Sequence, residues 1–137
     1  MSFVALPSGI TLSSPAQIAD AVAAASQVGL PVFELSTGDR AEGEAFFDAV
    51  RAVLPLDPPL QRNRSWDALA DSLWEGIRLL DPDTVLITWP DAWQFQAANP
   101  KDYAIAATIL GDLTESLRDP VSTAGRPKAV SVFLGTP

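Results

Sequence analysis

Apolar and polar positions alternate between two periods along this chain, and the switches mark the elements. Ser14-Pro15-Ala16-Gln17 has the form of a helix start: Ser14 as N-cap, Pro15 in the first helical position and Gln17 completing a capping box. Ile18, Val22 and Ala25 follow at helical spacing, and Gly29 is a C-terminal stop. Val32-Phe33-Glu34-Leu35 reads as a short strand closed by Ser36-Thr37-Gly38. Asp39, with Glu42 three residues on, opens a helix whose apolar stripe is Phe46, Val50, Val53 and Leu54, and Pro55 ends it. After a loop over 56–64, Ser65 starts another helix that runs to about Leu80, where Asp81-Pro82 stops it. Thr84 to Trp89 has the continuous apolar centre of a strand buried on both faces. A short amphipathic piece, Asp91 to Ala98, precedes a helix from Asn99-Pro100 with Tyr103, Ala106, Leu110, Leu113 and Leu117 as its core stripe. Asp119-Pro120 ends that helix, and Lys128 to Leu134 is the last strand.

Strands alternating with helices predict an α/β fold: a small three-layer sandwich on a three-stranded parallel sheet with right-handed helical crossovers. Residues 1–31 carry one charge, Asp20, and form an N-terminal helical extension packed on the domain over 32–137. No internal repeat or low-complexity tract is present.

Composition narrows the chemistry. The 137 residues are 47% apolar and 19% charged, enough apolar material for one packed core. Seventeen acids against nine bases give a net charge of −8, which argues against binding to nucleic acid or to an anionic membrane surface and favours a basic protein partner. Without cysteine there is no disulfide, thiol nucleophile or thiolate metal site; without histidine there is no Ser-His-Asp catalysis and no imidazole ligand. Lys101 and Lys128 are the only amine candidates. No apolar run approaches the ~18 residues of a membrane span, and the N-terminus lacks the basic flank of a signal peptide, so a cytoplasmic protein is expected.

The informative segment is the helix opened by Ser65. At about 100° per residue, Trp66, Leu69, Ala70, Leu73, Ile77 and Leu80 share one arc, the buried face. Asp67, Asp71 and Glu75 stand four apart on the opposite side as an acidic ridge, with Trp74 at its border. A solvated helix face is the simplest reading of such a ridge. Yet like charges at i, i+4 weaken a helix by about 0.2–0.5 kcal/mol per pair, and Glu75 sits near the negative end of the helix dipole. A cationic partner that neutralises the ridge would explain why it is kept.

Trp66-Asp67-Ala68-Leu69, followed by Asp71-Ser72-Leu73, resembles the W-D-A-L-x-D-x-L core of the barstar family, intracellular inhibitors of barnase-type ribonucleases. The order of elements from Val32 to about Leu134 is similar as well. The resemblance implies a monomeric, immunity-type inhibitor without cofactor, metal or catalytic residue, which occludes the active site of a basic ribonuclease toxin with its acidic helix. Asp71 would enter the pocket for the scissile phosphate, Asp67 would meet neighbouring cations, Trp74 would supply an aromatic contact, and Glu75 and Glu115 would complete the surround. The chain departs from the family in two places. Gln61-Arg62-Asn63-Arg64-Ser65 stands where the family has Tyr-Tyr-Gly-x-Asn, and Ala70 where it often has Trp. A barstar-like interaction module with a non-nuclease partner is the alternative.

Two further constellations have simpler explanations. Asp67 and Asp71 as the acid and base of a hydrolase lack a cleft, since adjacent turns of an exposed helix give neither carboxyl a reason to stay protonated. Asp81-Pro82-Asp83 with Asp91 could face a divalent cation, but a helix stop and turn account for them without one.

Overall fold

The computed structural model describes residues 6–61 and 65–137. Four parallel strands, β1 (Gly9–Ser13), β2 (Val32–Glu34), β3 (Thr84–Trp89) and β4 (Ala129–Gly135), form one sheet in the order β1-β4-β3-β2. Five helices surround it: α1 (Pro15–Gln27), α2 (Glu44–Val53), α3 (Trp66–Arg78), α4 (Ala92–Ala98) and α5 (Pro100–Arg118). The fold is α/β, in three layers. Ile18, Ala21 and Ala25 of α1 pack on Leu86 and Phe133 on one face of the sheet. The larger core fills the other face, where residues from α2 to α5 meet Val85, Ile87, Trp89, Val130, Val132 and Leu134. Alternate residues of β3 thus serve two cores, which is why its apolar run is unbroken.

The sheet has four strands where three were expected. The extra one, β1, pairs with β4 from Gly9 opposite Ser131 to Ser13 opposite Gly135. Its five residues, Gly-Ile-Thr-Leu-Ser, hold only two large apolar side chains, Ile10 and Leu12, both exposed, so no core-facing apolar set marks it; the backbone of a strand far along the chain makes it a strand.

α1 begins as its capping box dictates: the Ser14 hydroxyl accepts from the Gln17 amide at 3.2 Å, and the Gln17 side chain accepts from the Ser14 amide at 2.8 Å. α2 begins at Glu44 rather than behind an Asp39 cap. The residues before it belong to a loop held by Asp91, whose carboxylate accepts from Ser36 Oγ at 2.9 Å, the Thr37 amide at 3.2 Å and the Gly38 amide at 3.0 Å. Asp91 is therefore a strut between β3 and the loop after β2. The Trp89 indole N–H reinforces it by donating to Thr37 Oγ1 at 3.1 Å.

Lys128 is 2% exposed and sits where α3 ends. Its ammonium donates to the carbonyls of Leu80 and Pro82, the latter at 2.7 Å, tying the start of β4 to the turn between α3 and β3. Burial, the largest influence, pulls its pKa below the usual lysine value.

Candidate functional site

Local sequence fixes the orientation of α3. Ser65 caps it, accepting from the Ala68 amide at 3.3 Å, and the Trp66 ring packs on Phe46 and Phe47 with centroids 6.0 and 4.8 Å away. Leu69, Leu73 and Ile77 are fully buried against the core. At the C-terminal half, Gly76 lets the helix touch the chain just after α2: a Cβ there would lie 2.1 Å from the Pro55 carbonyl oxygen. With one face pinned so closely, Asp67 and Asp71 are turned outward, and both are exposed.

Glu75 has a different role from its two neighbours on the ridge. The guanidinium of Arg78 grips its carboxylate, with Nε donating at 3.1 Å to one oxygen and Nη2 donating to the other. This hydrogen-bonded pairing holds Glu75 below the usual carboxylate range. Arg78 also lies 5.8 Å over the Trp74 ring. Trp74 is half-buried and donates from its indole N–H to Ser116 Oγ on α5 at 3.0 Å, so the aromatic is locked between two helices.

Between α3 and α5 runs a groove of about 700 Å³. Trp66, Ala70 and Trp74 line it from α3; Ile105, Ile109, Leu113 and Ser116 line it from α5. Asp67, Asp71 and Asp112 bring three carboxylates to the same groove, all three on exposed residues. Among the described residues no base pairs with any of them.

Of the five side chains expected at a binding surface, Asp67, Asp71 and Trp74 line the groove together, whereas Glu75 and Glu115 do not. Glu115 is exposed on the flank of α5 toward β1, in a second depression that includes Ser8, Gly9 and Arg118. Asp112 is the residue that sequence reasoning passed over. It precedes Ser116 by one helical turn on the α5 stripe facing α3, beside the core stripe Ala106, Leu110, Leu113 and Leu117. The two arginines of the pre-α3 loop, Arg62 and Arg64, lie outside the described residues.

The described residues hold no group of three or more carboxylates arranged for a metal ion, and Asp91 is engaged by the β2–α2 loop. Among them no helix is long and apolar enough to cross a membrane.

Compared with known families, the chain matches Barstar, described as barstar (barnase inhibitor), over residues 30–134. It belongs to the barstar family. No curated protein and no solved structure matches it. The family match begins at Leu30, so β1 and α1 precede the barstar segment and add a strand to its sheet. The stretch Trp66 to Leu73 alternates between the exposed and the buried side of α3: Asp67 and Asp71 outward, Leu69 and Leu73 inward.

Proposed function

We propose that this barstar-family protein binds a basic ribonuclease of the barnase type and closes its active site with α3. The observation that carries the reading is the pair of exposed carboxylates on the first two turns of α3, paired with no base among the described residues and held rigidly by a buried opposite face. Ribonucleases that cleave through a phosphate pocket already present arginine and lysine in fixed positions, and carboxylate oxygens on a rigid helix supply acceptors of the same charge as the scissile phosphate. Asp71 is the central anchor and Asp67 its neighbour. Trp74 adds an aromatic edge, while Glu75, Glu115 and Asp112 contribute to the negative field around them. The protein acts as a monomer in the cytoplasm, protecting the cell that makes the enzyme.

Inhibition of a purified barnase-type ribonuclease tests this. Stoichiometric inhibition by the intact chain, weakened about 30-fold or more by Asp71→Ala with its fold unchanged, supports the proposal; that factor corresponds to losing about 2 kcal/mol of charge-assisted hydrogen bonding. Inhibition untouched by the substitution would move the contact elsewhere. A panel of such nucleases left fully active, together with a stable complex with some other basic protein, would instead identify an interaction module.

A further inference from the structure

The two edges of the sheet are finished differently. β2, at one edge, is three residues long, follows Pro31 and ends on the exposed Glu34, all of which discourage a further strand. β1, at the other edge, runs Gly-Ile-Thr-Leu-Ser without a charge or a proline, and among the described residues β4 is its only strand partner. Ile10 and Leu12 lie in register with Val132 and Leu134 and so point to the α5 side of the sheet, yet they are 38% and 66% exposed because the sheet ends there. An open apolar edge of this kind is a template for another strand. The strand that fits it is its own copy. The chain has no charged side chain before Asp20, so two β1 strands bring no like charges together although each chain carries a net −8. In an antiparallel pair centred on a two-fold axis at Thr11, Ile10 faces Leu12 of the other copy and Leu12 faces Ile10, on one side of the sheet, while the two threonines pair on the opposite side. We propose that β1 is a self-association edge, through which two copies of this chain join their sheets into one.

The pairing goes beyond the ribonuclease reading and does not depend on it. Five strand residues a side fall well short of the roughly 20–30 of a standard interface, so the association is weak and follows concentration. Dilute chain is the monomer proposed above as the inhibitor, and pairs form as the protein accumulates. Because α5 stands between β1 and α3, pairing leaves Asp67 and Asp71 uncovered.

Sedimentation velocity of the full-length protein, from about 5 µM to about 1 mM, tests it across the range of weak contacts. The chain should move from monomer toward dimer over that range, and more readily in about 0.5 M salt, which screens the repulsion between two acidic copies. Thr11→Lys and Thr11→Glu each set identical charges opposite one another at the two-fold axis, and each alone should weaken pairing severalfold. An equimolar mixture of the two variants should pair again, since lysine then faces glutamate. Leu12→Ser, at a side chain 66% exposed in the single chain, should also weaken pairing and decides the matter if the Thr11 variants do not fold. A chain that stays monomeric throughout, in low or high salt, would overturn the proposal. So would a dimer untouched by a folded Thr11→Lys or by Leu12→Ser, which would place the contact on another surface. Two folded Thr11 variants that fail to pair with each other would rule out the antiparallel register centred on Thr11.

Discussion

Gly76→Ala places a single methyl at the point where α3 rests on the chain leaving α2. In an unobstructed helix interior this change is stabilising by about 0.5–1 kcal/mol, because alanine has the higher helix propensity and glycine the greater entropy to lose. Here the new Cβ would lie 2.1 Å from the Pro55 carbonyl oxygen, 2.5 Å from its carbon and 3.0 Å from the Leu56 nitrogen. The first distance falls about 1.3 Å short of the 3.4 Å at which ordinary contact begins, and all three atoms are backbone. No rotamer change relieves the overlap; the loop or the helix must move. The adjacent Asp57 amide, which donates to the Ser72 carbonyl of α3 at 3.0 Å, would be drawn away with the loop. Overpacking of this kind costs about 1–3 kcal/mol, and a backbone obstacle belongs at the upper end. After subtracting the propensity gain, a net loss of about 2 kcal/mol is expected, or roughly 5–10 °C in Tm. Urea and thermal unfolding of the two proteins measure it. A variant as stable as the parent, or more stable, would refute the claim that this contact sets the position of α3.

Asp91→Ala should destabilise the protein by about 2–3 kcal/mol, since the amides of Thr37 and Gly38 and the Ser36 hydroxyl lose one charged acceptor, while inhibition by the folded fraction stays intact; denaturation and a titration of active inhibitor separate the two. Association with a basic ribonuclease, followed by stopped flow, should slow steeply as salt shortens the Debye length from about 10 Å at 0.1 M to about 3 Å at 1 M; a salt-independent rate would rule out electrostatic steering by α3. Arginine partners hold Glu42, Asp48 and Glu75 below their usual values, and the Val121 amide and Ser122 hydroxyl do the same for Asp119. Each favours the folded state at higher pH, so stability should decline as pH falls below about 4.5, the ordinary glutamate value, and through the depressed folded values. Urea midpoints across the acid range check this, and a flat profile would contradict it.

Local chemistry made much of the fold legible. Ser14-Pro15-Ala16-Gln17 specifies the start of α1 within four residues, and the unbroken apolar run of β3 announces a strand with a core on either side. The elements missed depend on distant partners. β1 carries too few apolar residues to declare itself and is defined by residues 129–135. The start of α2 is displaced because the Thr37 and Gly38 amides bond to Asp91, more than fifty positions later. At the candidate site, helical periodicity was sufficient to turn Asp67 and Asp71 outward, because their orientation follows from α3 alone. Glu75 was read as part of the same ridge, although Arg78 three residues on was available to neutralise it. Asp112 lines both the α3/α5 groove and the depression toward β1, whereas Glu115 lines only the latter, and the packing of α5 between α3 and β1 decides that.

β4 follows the other three described strands in the sequence and yet occupies an interior position, between β1 and β3. Until it inserts, β1 has no hydrogen-bonding neighbour, and β2 with β3 forms only a two-stranded fragment too small to be stable by itself. Maturation therefore waits on a contact spanning most of the polypeptide, and a ribosome-bound chain lacking residues 129–135 cannot yet have assembled the support beneath α3 and α5. The platform for α3 and α5, on this architecture, is completed in one step when β4 inserts rather than building up strand by strand.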